Sequence, residues 1–293
     1  MPTLAPVSRL SLKTILFPTD FSPASHAALP FAQSLAKIYG STILFAHSIA
    51  PEPRLQVVMD RVPEQDDAVW LDARHKLDAF AQDGSLGSTS TKTLLERGDL
   101  ALVIPALIRE NDVDLIVLGT HGRRGVSKMI MGSEAEKIYR TATCPVMTIG
   151  PEVHSSRDWK LRRILCPVDL AENPEPVVHY ALSLAEESLA EIIILDACPL
   201  VPWQHRASVE QRSRRALETL IPEQSKDWCV PQFVVRWEHP AEAVLVEAQQ
   251  READLIVMSV HKSRASSWLA HMPWPVASEV VSRAPCAVVT IRV

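Results

Sequence analysis

The residues best suited to chemistry lie in one stretch: Gly119-Thr-His-Gly122-Arg-Arg-Gly125-Val-Ser-Lys-Met-Ile-Met-Gly132-Ser133. Reduced to a pattern it is Gly, two residues, Gly, nine residues, Gly-Ser. Glycine lets the backbone turn tightly and come close to a ligand. Ser133 is a good helix N-cap, and Glu136 three residues on completes a Ser-x-x-Glu capping box. Free N–H groups at such a helix start bind phosphate. Arg123, Arg124 and Lys128 add positive charge in between. The spacing is neither G-x-x-x-x-G-K-[ST] nor G-x-G-x-x-G after a first strand, which excludes a Walker loop and a dinucleotide fingerprint. On residue types alone two readings stand level: a phosphate cradle, or a loop whose glycines only make turns.

Glycine usage sharpens the contrast. The chain of 293 residues has nine glycines, none beyond Gly150, and four of them fall between 119 and 132. A loop built this way needs a strand before it and a helix after it, in a fold that brings strand ends together. Apolar residues at Ala28, Leu29, Ala32, Leu35 and Ala36 predict a helix over 24–39, between strands at 14–18 and 42–47. A helix is read over 64–82, a strand over 89–96, a helix over 100–110, a strand over 114–119, a helix over 133–141 and a strand over 145–149. Leu115-Ile-Val-Leu118 is apolar on both faces, as a strand covered by helices on both sides must be. Regular alternation of strand and helix implies a doubly wound α/β fold with a parallel sheet. Ligands bind such sheets at the carboxyl ends of the strands.

The unit occurs twice. Ile15-Leu-Phe-Pro-Thr-Asp20 matches Ile164-Leu-Cys-Pro-Val-Asp169; Ser34-Leu-Ala36 matches Ser183-Leu-Ala185. Thr42–Ala46 matches Glu191–Leu195, Asp114-Leu-Ile-Val117 matches Asp254-Leu-Ile-Val257, and Cys144 and Val146 match Cys286 and Val288. A period near 140 residues means tandem domains, here 1–150 and 151–293. The second copy reads Ser259-Val-His-Lys-Ser-Arg-Ala-Ser-Ser-Trp268-Leu-Ala-His-Met-Pro273-Trp274-Pro275 where the first has its glycine loop. Trp274 and Pro275 fall at the places of Gly132 and Ser133. An indole there would take phosphate space, and Pro275 removes an N–H donor. The second copy is therefore expected to be degenerate. Six of the seven tryptophans lie after Gly150, and core packing is the first expectation for them.

The glycine spacing, the opening Ile15-Leu-Phe-Pro-Thr-Asp-Phe-Ser22 and the strand Asp114-Leu-Ile-Val-Leu-Gly-Thr-His-Gly122 together resemble the universal stress protein family. The likeness covers nearly the whole chain, once per copy, and so points to the tandem-domain form. It implies two five-stranded parallel sheets in the order 3-2-1-4-5, similar to the nucleotide alpha-hydrolase fold, with a nucleotide site between strands one and four. It implies ATP, with or without Mg²⁺, as the ligand of the first copy. Carried over by motif, Asp20, Ser48, Leu118 and Gly119 would lie at the adenine end, and Gly122 with His121 by the ribose and phosphates. Gly132, Ser133, Glu134 and Ala135 would meet the phosphates. Two positions depart from the family pattern. Ser48 stands where an apolar residue is usual, and Glu134 where a small or apolar one is. A carboxylate at 134 suits the helix dipole, but turned inward it would compete with phosphate.

The resemblance further implies pairing of the two copies through their last strands, 145–149 and 287–291, and room for a homodimer. The function expected is nucleotide-dependent regulation in a stress response, with a nucleotide-free interaction scaffold and a slow ATP hydrolase as the alternatives. No catalytic residue is assigned. His121 is given a positioning role, since no base and no carboxylate pair for Mg²⁺ can be placed beside it. Asp20 recurs as Asp169 in the copy without the loop, so a turn-forming role weighs at least as much as ligand contact. His47 reads as a hydrogen-bonded core histidine.

Composition sets outer bounds. Lys plus Arg number 30 against 35 Asp plus Glu, a net charge of -5, which speaks against a dedicated nucleic-acid or anionic-membrane binder. No apolar run approaches the ~18 residues of a membrane span, and residues 1–13 lack the apolar core of a secretory leader. The five cysteines, 144, 166, 198, 229 and 286, are odd in number and scattered. They read as reduced thiols of a cytoplasmic protein, with no metal site.

Overall fold

The computed structural model describes residues 10–49, 68–82, 89–120, 133–153, 158–198, 202–227, 229–260 and 273–292, with backbone alone at 133, 134, 140 and 273–275. By internal contacts the chain forms two compact units: Leu12–Val146 with Ser155–Trp159, and Lys160–Val293 with Met147–His154.

In the amino-terminal unit the elements run β1 (Thr14–Pro18), α1 (Pro23–Tyr39), β2 (Thr42–Ile49), α2 (Ala68–Ala81), β3 (Thr91–Arg97), α3 (Leu100–Glu110), β4 (Leu115–Gly119) and α4 (Ser133–Thr141), leading into β5 (Val146–Ile149). The strands lie parallel in the order β3-β2-β1-β4. Ile15, Leu16 and Phe17 on β1 and Leu115 to Leu118 on β4 are buried on both faces. That is why the strands at the centre are continuous apolar runs, whereas edge strand β3 is half-exposed. α1 buries Ala28, Leu29, Phe31, Ala32, Leu35 and Ala36, one stripe at helical spacing. Phe80 brings α2 onto the sheet, its ring 5.5 Å from Phe45 and 6.0 Å from Phe17. Trp159 packs its ring 4.8 Å from Phe31, and its carbonyl accepts from the Ser34 hydroxyl at 3.0 Å.

The carboxy-terminal unit repeats the plan: β6 (Arg163–Val168), α5 (Glu175–Ser188), β7 (Glu191–Ala197), α6 (Trp203–Thr219), β8 (Gln232–Arg236), α7 (Pro240–Gln250), β9 (Leu255–Val260), α8 (Pro273–Arg283) and β10 (Ala287–Arg292). Its strands run β8-β7-β6-β9-β10, all parallel. Within this unit the Thr148 hydroxyl donates to the Val288 carbonyl at 3.2 Å. Trp203 departs from the expectation of core packing: it starts α6 and is 81% exposed.

One device recurs in both units and explains a repeated motif. Asp114 precedes β4, and its Oδ2 accepts the Lys13 and Thr14 N–H groups at 2.6 and 2.9 Å. Asp254 precedes β9 and accepts those of Arg162 and Arg163, both at 2.9 Å. Each carboxylate satisfies backbone donors that open the neighbouring central strand, and so pins its register.

The copies differ at the C-cap of their first helix. α1 ends on Gly40 in the left-handed region at φ 68°, its N–H donating to the Ala36 carbonyl. The same place after α5 is held by Leu189 at φ 54°, 92% exposed. Left-handed backbone costs an L-residue roughly 1–2 kcal/mol more than it costs glycine. Leu189→Gly is thus expected to stabilise the carboxy-terminal unit by about 1 kcal/mol, the strain relieved less the added freedom of the unfolded chain, read from urea unfolding.

The cysteines are all free thiols. Full burial pushes the Cys166 thiol from 9.0 up to about 12. A thiol with a raised folded-state pKa contributes its stability below pH 9 and loses it as pH climbs towards 12, because the unfolded chain ionises first. Native protein at pH 8 is expected to leave Cys166 unalkylated by iodoacetamide, and urea midpoints to fall from pH 9 upwards; prompt labelling of the folded chain would contradict this.

Candidate functional site

The carboxyl rim of the amino-terminal sheet is set by register. Pro18 on β1 lies level with Ala46 on β2, and the Thr19 N–H continues the ladder to the Ala46 carbonyl at 2.9 Å. Ile15 and Leu16 lie level with Leu115 and Ile116 on β4. Asp20, Ser48, Leu118 and Gly119 therefore emerge together at one end of three adjacent strands.

The turn from β1 into α1 is built by side chains. Asp20 Oδ1 accepts the Ser22 N–H at 3.0 Å and the Ser25 hydroxyl at 2.8 Å. Ser22 in turn caps α1, its hydroxyl oxygen accepting from the Ser25 N–H at 3.3 Å. Buried Thr19 accepts the Phe21 N–H on its hydroxyl at 3.0 Å, which holds Phe21 at φ 59°. Its carbonyl lies 2.8 Å from His47 Nδ1. A carbonyl can only accept, so Nδ1 is the donor in this contact. The Phe21 ring lies 4.5 Å from the imidazole. Asp20 is exposed despite its turn-forming bonds.

Gly119 has a physical reason for being glycine. A Cβ at this position would lie 2.2 Å from the Ala24 carbonyl oxygen and 2.5 Å from its carbon. The first turn of α1 thus sits directly against the end of β4. The sequence reading gave Gly119 to close approach by an anion; in the fold the approaching group is α1. In the carboxy-terminal unit the corresponding residue is Ser259, and α5 starts seven residues after β6 ends, where α1 starts five after β1. The later start leaves room for the serine side chain.

α4 begins at Ser133, and Ala135 in its first turn is buried. α4 is tied back to α3 through Asp99, which caps α3 by accepting the Ala101 N–H at 3.0 Å and pairs with Lys137 at 2.7 Å. His121, Gly122 and Gly132 lie outside the described residues, as do the side chains of Ser133 and Glu134. Sequence reasoning passed over Arg97, the last residue of β3. It lies level with Ile49, its guanidinium 4.6 Å over the Trp70 ring, and its Nη2 is buried without a hydrogen-bond partner among the described residues. The available signal was its place beside Gly98, at the end of the third strand.

The equivalent rim in the carboxy-terminal unit is furnished differently. Asp169 keeps the turn, accepting the Ala171 N–H at 2.9 Å. The place of His47 is taken by buried Asp196, which accepts from the Ser213 hydroxyl on α6 and from the Cys198 thiol at 3.3 Å. Burial, followed by the Asp196 contact, pushes the Cys198 thiol up to about 11. Among the described residues no group of His, Cys, Asp and Glu could hold a metal ion, and no helix is long and apolar enough to cross a membrane.

The model of the universal stress protein family matches residues 11–150 and again 160–292. The universal stress protein in the QAH/OAS sulfhydrylase 3′ region of Thermus aquaticus is 29% identical over 143 residues, which are 47% of this chain and 98% of that one. Universal stress protein E of Escherichia coli is 32% identical over 98 residues, 32% of this chain and 31% of that one. Among solved structures, a universal stress protein from Archaeoglobus fulgidus superposes with a TM-score of 0.69 at 17% identity, covering 95% of this chain and 98% of that one.

The Gly119 contact can be tested directly. Gly119→Ala is expected to cost the amino-terminal unit about 3 kcal/mol, because the blocking atoms are backbone and cannot rotate away. Gly119→Ser, which copies the second unit, is expected to cost at least as much. Urea unfolding followed by Trp70 and Trp159 fluorescence is the measurement; wild-type stability would mean that α1 is free to withdraw.

Proposed function

Because the chain belongs to the universal stress protein family, with the family's domain present twice, we propose that its amino-terminal half binds ATP and that occupancy acts as a regulatory signal in a stress response. The observation that carries the reading is the convergence of Asp20, Ser48 and Gly119 on one rim, with α4 starting at Ser133 after a segment of Gly-x2-Gly-x9-Gly-Ser spacing. In this reading the exposed Asp20 carboxylate and the Ser48 hydroxyl serve the adenosine end. Leu118 and Gly119 form its floor. His121 and Gly122 border the ribose and phosphates. The backbone amides of Gly132, Ser133, Glu134 and Ala135 hold the phosphate tail, assisted by the helix dipole. Ala135 fits this role: it is small, buried, and leaves the first turn of α4 unobstructed by its own side chain. Glu134 sets the affinity through repulsion if it faces the tail. Mg²⁺ would enter with the triphosphate, since no metal ligand cluster occurs among the described residues.

The carboxy-terminal half is read as a partner domain without this ligand. Its rim carries the Asp196–Ser213–Cys198 cluster, and its glycine-free loop cannot form the cradle. The halves, 1–150 and 151–293, are proposed to pair through their last strands. The free cysteines suit a reducing cytoplasm. The role proposed is conformational rather than catalytic.

Isothermal titration with ATP tests the proposal. One molecule per chain is expected, with competition by ADP, and Gly132→Trp is expected to weaken binding by ~100-fold or more while leaving circular dichroism and unfolding unchanged. Absence of heat, together with no nucleotide released on denaturing the freshly purified chain, would favour the nucleotide-free scaffold.

A further inference from the structure

The outermost strand of the carboxy-terminal unit, β8, pairs with β7 alone. Along a strand in a parallel sheet, the N–H and C=O groups of successive residues turn alternately to its two edges. The Cys198 N–H donates to the Arg236 carbonyl at 2.8 Å, so Arg236, and with it Val234 and Gln232, turns its backbone groups to β7. Phe233 and Val235 turn theirs outward, where no hydrogen bond meets them among the described residues. Trp237, next in that series, is already closed off by Glu238 Oε2, which accepts its N–H at 3.0 Å.

This edge is open. Residues 233–236 are half-buried and Gln232 is exposed, whereas the edge strand of the other unit, β3, buries Leu95. A groove of about 560 Å³ follows the edge, walled by Arg214 of α6 on one side and by Glu247, Gln250 and Arg251 of α7 on the other. The two helices cover opposite faces of β8. The Ser213 hydroxyl of α6 bonds Asp196, which lies level with Val235, while Glu247 of α7 bonds Arg236. A space lined from both faces of one strand runs along that strand's free edge, the place a further strand would take.

The two faces differ in chemistry. Phe233 and Val235 stand on the α6 face, and Gln232, Val234 and Arg236 on the α7 face. On the α7 face buried Glu247 accepts from Arg236 Nε and Arg251 Nε, both at 2.8 Å, and Arg251 Nη1 donates to Gln232 at 3.0 Å. Arg251 Nη2 has no hydrogen bond among the described residues. On the α6 face Arg214 is engaged only through Nε, by Glu210 at 3.5 Å. The lining carries three arginines and one glutamate, a local balance of +2 in a chain of net charge -5. Acidic side chains complement it. A second copy of the chain does not: its outer strands end on Arg97 and Arg236, and like charges facing each other across a strand pair are destabilising.

We propose that the free edge of β8 is a docking groove for an extended acidic segment of a partner protein, which adds a strand beside it. The main chain of that segment bonds Phe233 and Val235. Its apolar side chains lie beside those two residues on the α6 face, and its carboxylates on the α7 face meet Arg251. The groove is independent of the ATP reading, since it lies along a strand edge of the unit whose glycine loop is missing.

The test uses the full chain and the fluorescence anisotropy of labelled peptides about seven residues long. One alternates glutamate with valine, a second has the same composition without the alternation, and a third alternates lysine with valine. The first is expected to bind about 10-fold or more tighter than either of the others. N-methylation of every second residue removes the amide donors along one edge of the peptide. One of the two N-methylated series is expected to lose ~10-fold or more and the other to keep its affinity, because only one edge meets β8. Val235→Pro deletes an outward N–H and leaves the β7 ladder intact, as proline is accepted on edge strands. It is expected to weaken binding by ~10-fold or more with the urea unfolding curve near wild type. Should it fail to fold, Arg214→Glu, an exposed side chain, is expected to lose ~5-fold. No binding by the glutamate–valine peptide, equal binding of its unpatterned counterpart, an equal effect of the two N-methylated series, or wild-type affinity in a folded Val235→Pro chain would each overturn the assignment. So would a dimer of the chain, seen in sedimentation, that Val235→Pro dissociates, since it would give the edge to a second copy.

Discussion

In each half of the chain one carboxylate, Asp114 or Asp254, accepts two backbone N–H groups that open the adjacent central strand. Charge-assisted hydrogen bonds of this kind are about twice as strong as neutral ones. They act where a parallel pair would otherwise begin with unsatisfied donors. Fixing β1 against β4 at the amino end decides which residues are level at the carboxyl end. The rim on which Asp20 and Gly119 meet is a consequence of that anchor, some five residues away along each strand.

The two units share the anchor and diverge at the rim. Where the first places His47, with Nδ1 on the Thr19 carbonyl, the second places Asp196, held by a hydroxyl and a thiol. The first ends its opening helix on Gly40; the second forces Leu189 into the same left-handed backbone. The first needs glycine at 119 because α1 starts early; the second starts α5 later and tolerates Ser259. The last two of these differences each remove a glycine from the second unit. The loss of glycine there is a set of separate local solutions rather than one event at a loop. The second unit also gathers arginines at its outer strand, where the buried charge of Glu247 organises them.

Several site residues gained a second meaning in three dimensions. Asp20 shapes a turn through Ser22 and Ser25, and its match with Asp169 follows from the turn alone. Gly119 serves a helix contact. A motif shared by both copies therefore reports the fold first.

The sequence by itself determined the duplication, the alternation of strand and helix, and the parallel sheet, because apolar runs such as Leu115 to Leu118 are stable only when helices cover both faces. Helix and strand limits were legible within a few residues, α3 and α4 to the residue. Residues 64–67, read as the start of a helix, and the loop residues His121, Gly122 and Gly132 lie outside the described residues. What only the tertiary structure decided was which atoms meet: the 2.2 Å approach that makes Gly119 obligatory, the His47 Nδ1 contact with the Thr19 carbonyl, Arg97 over Trp70, and Arg236 and Arg251 on buried Glu247. Spacing along a chain encodes the period of a helix or strand. It does not encode the distance between elements, which is set by packing of side chains far apart in sequence.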